Sequence, residues 1–300
     1  MNLCRSFAEA ADRDIHALAL GFFDGLHRGH QHVIANADHD SVLTFEPHPQ
    51  AFLFPDQAPL LLTGLPHKLH DLAALGVRHA VLLPFDRQMA RTTAEKFLQQ
   101  LGDACPKLQR IAVGANWRFG HHRAGSLPLL RRWCAARRIT LRADACVTHH
   151  GTPISSSRIR ELILSGQLST ASELLGKPYS LFGTIVSGRQ LGRQLGFPTA
   201  NLDTLDQCLP PRGVYFGTVT ISNRPYPAAI NIGNQPTLAP QRTTVEAHLL
   251  NFSGDLYGVT VSVHPKQFWR AEQKFSSLSA LQTQIAQDLI AMERFGNRVA

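Results

Sequence analysis

Apolar residues are distributed in two different textures along this chain. Up to about Leu175, the short runs Ala17–Leu20, Ser41–Phe45, His79–Leu83 and Arg110–Val113 are predicted to be strands, because runs this short and this apolar suit strands buried on both faces. Between them, Lys68–Leu75, Ala94–Leu101 and Leu127–Arg137 space their apolar residues three and four apart, the period of a helix with one buried face. Strands alternating with helices predict a Rossmann-like α/β fold with a parallel sheet. Two further helical patterns, Arg158–Ser165 and Ala171–Leu175, precede Gly176-Lys177-Pro178. Those breakers set the expected boundary between a domain at 1–177 and a second at 178–300. After Tyr179 the runs become short and β-rich, at Leu181–Val186, Val214–Ile221, Ala228–Ile232, Thr243–Leu250 and Val259–Val263, with Gly, Pro and Asn between them. That texture predicts an antiparallel β-barrel. Leu278, Leu281, Ile285, Leu289 and Met292 then mark an amphipathic helix packed on it.

Composition narrows the class. At 300 residues and 44% hydrophobic content, the chain can bury two ordinary cores. It contains no run of about 18 apolar residues, and Met1–Arg13 carries no apolar signal core, so a cytoplasmic protein without a membrane partner is expected. Cys4, Cys105, Cys134, Cys146 and Cys208 are odd in number and lack CxxC spacing, which suits reduced, mostly buried thiols. The formal charge is +8, and 24 of the 30 basic residues are Arg, a bias toward multidentate contact with phosphate-like anions. No basic tail or block concentrates this charge. The cluster Arg131–Arg138 reads as a helix with a solvated face rather than a nucleic-acid stripe. Oligomeric state is left open.

Chemistry enters where the first internal strand ends. Gly21-Phe22-Phe23-Asp24-Gly25-Leu26-His27-Arg28-Gly29-His30 follows Ile15–Leu20 and leads into the helical pattern Gln31–Ile34. A strand–loop–helix unit presents unpaired N–H groups at its helix start, a site for phosphate. Gly29 is expected to permit close approach of a nucleotide, while His27 and His30 can donate hydrogen bonds to charge developing on a phosphoryl group. Two His three apart can also be a plain helix-start pair or metal ligands. The absence of Cys or carboxylates at zinc spacing nearby, and the strand before the motif, favour phosphate.

Further segments fit the same site. Thr44-Phe45-Glu46-Pro47-His48-Pro49 follows a strand, and its prolines stiffen a loop at the strand's C-terminal end, where ligands bind in open α/β sheets. Gly114–Gly120 does likewise after Ile111–Val113, with Asn116 able to present donor and acceptor. Ser155, Ser156 and Ser157 open a helix with Arg158 in its first turn, suited to triphosphate oxygens or to ordinary capping. Arg123 and Gly125 are weaker candidates.

With these residues in view, the chain resembles the prokaryotic bifunctional riboflavin kinase/FMN adenylyltransferase (FAD synthetase) family. His27-x-Gly29-His30, Thr44–Pro49, Val113–Gly120 and Ser155–Arg160 match its adenylyltransferase module in order and spacing. Gly192–Leu202, containing Pro198-Thr199-Ala200-Asn201, resembles the kinase signature, and Gly213-Val214-Tyr215, Asn231-Ile232-Gly233, Pro236-Thr237, Glu246-x-His248, Leu256-Tyr257-Gly258 and Arg270–Phe275 follow in the family's order. The resemblance implies an α/β nucleotidyltransferase domain followed by a β-barrel riboflavin kinase domain with a C-terminal helix. It implies phosphorylation of riboflavin by ATP to FMN, then adenylyl transfer from a second ATP to FMN, giving FAD and pyrophosphate. It also implies that Gly21, Phe23, Asp24, Gly25, Gly29, Thr44, Pro47, Asn116, Ser155–Ser157 and Arg158 contact nucleotide in the first module, and Gly192, Arg193, Gly196 and Pro198 in the second.

A kinase for a primary alcohol must hold Mg²⁺ with hard oxygens and remove a hydroxyl proton. The Thr199 hydroxyl and Asn201 amide can supply such ligands. Glu246, one of seven acidic residues after position 180 and inside a strand candidate, is implied by the family to be the general base. The chain departs from the family pattern at Phe22, where smaller or polar residues are frequent, at Ser157 for Thr, at Gln235 for Arg, and at Asn251 for Asp.

Overall fold

The computed structural model describes the chain except for residues 189–191, 193, 194, 205, 206, 235–242 and 300. It divides into two compact units, Met1–Ser156 and Ser157–Ala300. The first contains strands β1 (Asn2–Cys4), β2 (Ala17–Leu20), β3 (Ser41–Glu46), β4 (His79–Pro84), β5 (Arg110–Gly114) and β6 (Thr140–Asp144). They form a parallel sheet in the order β1-β4-β3-β2-β5-β6. Helices α1 (Phe7–Ala11), α2 (Arg28–Ala35), α3 (Pro49–Leu53), α4 (Leu65–Ala74), α5 (Arg87–Arg91), α6 (Ala94–Ala104) and α7 (Leu127–Ala136) connect them, and a small hairpin pairs β7 (Thr148–His149) with β8 (Thr152–Pro153).

The sheet is buried on both faces, and side-chain size separates them. Leu18, Leu20, Leu43, Val81, Leu83, Ile111 and Val113 pack with Phe97, Leu98, Leu101 and Leu130. Their alternate neighbours Ala17, Ala19, Ala80 and Ala112 pack with Ile34, Ala37 and Leu72. Strand period two puts successive residues on opposite faces, so the alanines let α2 and α4 lie close to the backbone. From β2 the chain winds to β3 and β4 on one side, then crosses to β5 and β6 on the other. The order therefore reverses between β2 and β5, where ligands sit beyond the carboxyl ends of the strands.

The α7 helix buries Leu130 and Cys134 and leaves Arg131, Arg132, Arg137 and Arg138 exposed beside it, with Arg137 over the Trp133 ring. Four of the five cysteines are buried, all five are free, and Cys146 is exposed. No helix among the described residues is long and apolar enough to cross a membrane.

The second unit begins within α8 (Ser156–Leu164), continues through α9 (Leu168–Leu175) and closes β9 (Leu181–Val186), β10 (Ala200–Asp203), β11 (Gly213–Ile221), β12 (Arg224–Asn234), β13 (Thr243–Leu249) and β14 (Thr260–Arg270) into an antiparallel barrel, followed by α10 (Leu278–Val299). By packing, then, the two helices before Gly176 group with the barrel. Two strands run longer than their apolar runs predicted. In β12, Pro225 and Pro227 pair only toward β11, and β13 joins from Ala228 onward, so the missing proline N–H groups lie outside the two-sided ladder. In β14 the register shifts on both sides of Gln267 and Phe268, at Lys266 and at Trp269; these bulges follow Pro265 and carry the strand on to Arg270.

One buried carboxylate organises the entrance to β2. Asp40 is 6% exposed and accepts hydrogen bonds from the amides of His16 (2.8 Å) and Ala17 (2.9 Å), while Arg78 pairs with its other oxygen at 2.9 Å. Asp40→Ala leaves these amides without an acceptor and is expected to cost the first unit roughly 2–4 kcal/mol. Urea unfolding checks this, and an unshifted midpoint would contradict it.

Candidate functional site

The Gly21–His30 segment lies at the carboxyl end of β2, beside the point where strand order reverses. Phe23 adopts φ 59° and is buried, turning the chain into a 3₁₀ turn at Asp24–Leu26. His27 then caps α2, its Nδ1 accepting from the His30 amide at 3.3 Å. That bond places the proton of a neutral His27 on Nε2. The His30 ring stacks on His27, with centroids 3.6 Å apart, and meets Phe23 edge-on at 5.4 Å. A Cβ on Gly29 would sit 3.1 Å from the His27 ring. Gly29 thus makes room for an imidazole.

Burial governs the charge of both rings. Desolvation lowers the His27 pKa to about 4, partly opposed by its backbone hydrogen bond. Desolvation also holds His30 well below the ordinary histidine value, aided by the charges of His27 and Lys68. Its Nδ1 has no hydrogen-bond partner. The pair therefore stands neutral at pH 7, each ring carrying one N–H.

Other predicted residues gather around this core. Asp24 uses Oδ1 to accept from the amides of Leu62 (2.9 Å) and Thr63 (3.1 Å), and the Gly25 amide donates to the Thr63 hydroxyl at 3.1 Å. The Thr44 hydroxyl donates to the Phe22 carbonyl at 2.9 Å, and Pro47 follows a cis peptide bond. The Ser156 hydroxyl donates to the Asp24 carbonyl at 3.0 Å, bringing that segment against the turn, while Ser155 is exposed. Asp24, Gly25, Thr44 and Ser156 thus brace the loops that carry the imidazoles. A Cβ on Gly21 would strike the Phe23 ring. Asn116 is exposed just after β5, its amide 3.9 Å from Cys146 Sγ. Ser157 and Arg158 fall in the second unit, in the first turn of α8.

Sequence reasoning passed over Lys68. It is 1% exposed in α4, on the same face as buried Leu72. Its spacing to Leu72 and Leu75 was the available signal, since a Lys at i relative to apolar i+4 and i+7 lies in the buried stripe.

The second unit holds a cavity of about 330 Å³ between the barrel wall and α10, lined among others by Phe197, Thr199, Asn231, Glu246, Arg270 and Glu272. Ladder register builds its polar wall. Asn201 stands opposite Glu246, and Glu246 opposite Asn231, so the three side chains share one face of the sheet. Val245 and Ala247 beside them are buried, on the opposite face from Glu246. The Thr199 hydroxyl donates to Glu246 Oε2 at 3.4 Å. Gly188 crosses Asn201 so closely that a Cβ would lie within 2.3 Å of the amide. Hydroxyl, amide and carboxylate oxygens at this corner fit a hard divalent cation that keeps water and phosphate as its other ligands. Among the described residues no cluster of three or more His, Cys, Asp or Glu gathers for a metal.

Pro198 accepts from His248 Nδ1 at 2.8 Å, fixing the loop before Thr199, and Gly196 turns at φ 84°. Gly192 lines the cavity. Arg193 and Gln235 lie outside the described residues, as do Pro236 and Thr237. Arg270 forks onto Asp288 of α10 at 2.8–3.2 Å, and Trp269 Nε1 donates to the same carboxylate at 3.0 Å.

The comparisons with known proteins follow this division. Residues 9–158 match the family model described as FAD synthetase, and 175–295 the model described as riboflavin kinase. A bifunctional riboflavin kinase/FMN adenylyltransferase of Escherichia coli (strain K12) is 37% identical over 289 residues, spanning 93% of this chain and 92% of that one. A protein of the same description from Bacillus subtilis (strain 168) is 30% identical over 284 residues, spanning 90% and 89%. A crystal structure titled as a macrolide-efflux protein from Streptococcus pneumoniae superposes with TM-score 0.79 at 28% identity, spanning 95% of this chain and 96% of that one.

The histidine pair makes stability depend on pH. His27 binds no proton in the fold until about pH 4 but takes one near 6.5 when unfolded, so its contribution is complete above pH 6.5 and is lost as pH falls toward 4. For His27 alone the loss is about 3 kcal/mol. NMR titration should find its midpoint near 4, and a midpoint at the ordinary histidine value would refute the burial argument.

Proposed function

The chain belongs to the bifunctional riboflavin kinase/FMN adenylyltransferase family, and from that premise we propose which of its residues carry each reaction. The protein phosphorylates riboflavin with ATP to give FMN, and transfers AMP from ATP to FMN to give FAD and pyrophosphate. We assign the adenylyl transfer to residues 1–177 and the phosphorylation to residues 178–300. In support, the two family models cover 9–158 and 175–295. A cytoplasmic setting, with no nucleic acid or membrane as partner, is the reading we carry forward for an enzyme of these small molecules.

For adenylyl transfer, the stacked imidazole pair supports the assignment most directly. An FMN phosphate oxygen attacks the α-phosphorus of ATP, the bond to the bridging oxygen breaks, and pyrophosphate leaves without a covalent enzyme intermediate. Neutral His27 and His30 offer N–H groups to the charge that accumulates on the α-phosphoryl oxygens. In a desolvated site these donors act more strongly than they would in water. The amides of Arg28 and Gly29, at the start of α2, lack intrahelical acceptors and add two more donors. Gly21, Phe23, Asp24, Gly25, Gly29, Thr44, Pro47, Asn116 and Ser155–Ser157, with Arg158, are our nucleotide-binding set.

For phosphorylation, the shared row of Asn201, Glu246 and Asn231 carries the reading. Glu246 accepts the proton of the riboflavin 5′-hydroxyl as that oxygen attacks the γ-phosphorus of ATP and ADP departs. We assign Thr199 and Asn201 as the residues that would hold Mg²⁺. ATP-dependent kinases and adenylyltransferases generally use a divalent metal, and when bound it neutralises polyphosphate charge. The largely apolar cavity beside Glu246 suits a flavin ring, and Gly192, Arg193, Gly196 and Pro198 complete the proposed nucleotide contacts.

Separate assays test the two assignments. His30→Ala should lower FAD formation from FMN and ATP by about 10²–10³-fold while FMN formation from riboflavin persists. Glu246→Gln should do the reverse, lowering FMN formation by at least roughly 10²-fold. Equal loss of both reactions in either variant would point to unfolding and defeat the assignment.

A further inference from the structure

Lys68 is buried without a partner. Its Nζ makes no hydrogen bond and is 3.7 Å from the centre of the Phe22 ring, with the whole side chain 1% exposed. Glu46 and Asp24 act on it electrostatically, yet neither accepts a hydrogen bond from it. The Asp24 Oδ1 is taken up by two backbone amides. Burial lowers the Lys68 pKa to about 8, against the pull of these two carboxylates.

An ammonium taken out of water is costly unless it is paired and hydrogen-bonded, and the face of one aromatic ring recovers only part of that cost. The charge also acts on His30, whose Nδ1 is likewise unsatisfied. Two unsatisfied polar atoms of one neighbourhood, one of them a cationic donor, call for an anion. With both imidazoles neutral, Lys68 is the buried cation of this corner. Phe22, which departs from the family pattern, supplies the surface that holds it.

We propose that Lys68 is a further catalytic residue of adenylyl transfer, its ammonium hydrogen-bonding an oxygen of one of the two reacting phosphates. This rests on the adenylylation reading of the first unit. Either the FMN phosphate or the ATP polyphosphate supplies the oxygen.

The test uses the full chain and Lys68→Met, which keeps the volume and removes the charge. FAD formation from FMN and ATP should fall by about a hundredfold in kcat/KM, while FMN formation from riboflavin in the same preparation stays at the wild-type rate. The urea midpoint should hold or rise, because an unpaired buried charge has been replaced by an apolar side chain. A strut would behave in the opposite way, so a lowered midpoint accompanying the lost activity overturns the proposal. FAD formation within about threefold of wild type overturns it too. A raised KM for FMN alone identifies its phosphate as the partner, and a raised KM for ATP alone the polyphosphate. A fall in kcat with both KM values unchanged places the contact in the transition state. If the wild-type chain makes FMN but no FAD, the adenylylation reading itself falls and takes the proposal with it.

Discussion

Withdrawal of water from polar side-chain atoms that have nothing inside the fold to bond to is the constraint on which the first unit turns. Folding ordinarily excludes such groups. Here His30 Nδ1 and Lys68 Nζ remain unsatisfied within one corner of the sheet, and Phe22 and Phe23 wall them in. The surrounding structure bears the cost through a braced frame. Asp24 ties its turn to Leu62 and Thr63, Thr44 ties β3 to Phe22, and Ser156 ties its segment to the turn. Preorganisation of this kind is useful for a phosphoryl transition state, because the donors need not reorient when charge appears.

The second unit answers a similar demand by different means. Its proposed reacting groups come from facing positions of adjacent strands, and antiparallel pairing itself sets their spacing. The barrel core keeps Val245 and Ala247 inside, which leaves Glu246 on the outer face under α10. A carboxylate there can meet both a metal-bound phosphate and an alcohol. Buried on the other face it would be an unpaired charge.

Much of this was legible in the residues. Doubly buried strands such as Ala17–Leu20 announce themselves by unbroken apolar runs, and the glycine–histidine segment marked the carboxyl end of β2 correctly. The strands missed were those whose signal is weak for physical reasons: β1 is three residues long, β7 and β8 are two each, β6 reads Thr-Leu-Arg-Ala-Asp at a sheet edge, and β10 reads as polar loop although it pairs on both sides. Glu246 was legible as a carboxylate within a strand, but its nearness to Thr199 and Asn201 depends on a register between segments more than 40 residues apart. Spacing within one segment carries no such information. Lys68 was overlooked because lysine is ordinarily a surface residue, and only its phase relative to Leu72 argued otherwise.

The bulges in β14 have a consequence for how this chain can drift. Two extra residues between Pro265 and Arg270 set the phase in which Arg270 meets Asp288. Side chains alternate with period two, so losing or gaining one residue there would turn every later side chain over. Arg270 would then face away from α10, and the helix that roofs the cavity would lose its anchor. Substitutions along that stretch can be absorbed locally, whereas a single-codon deletion would be felt across the whole wall.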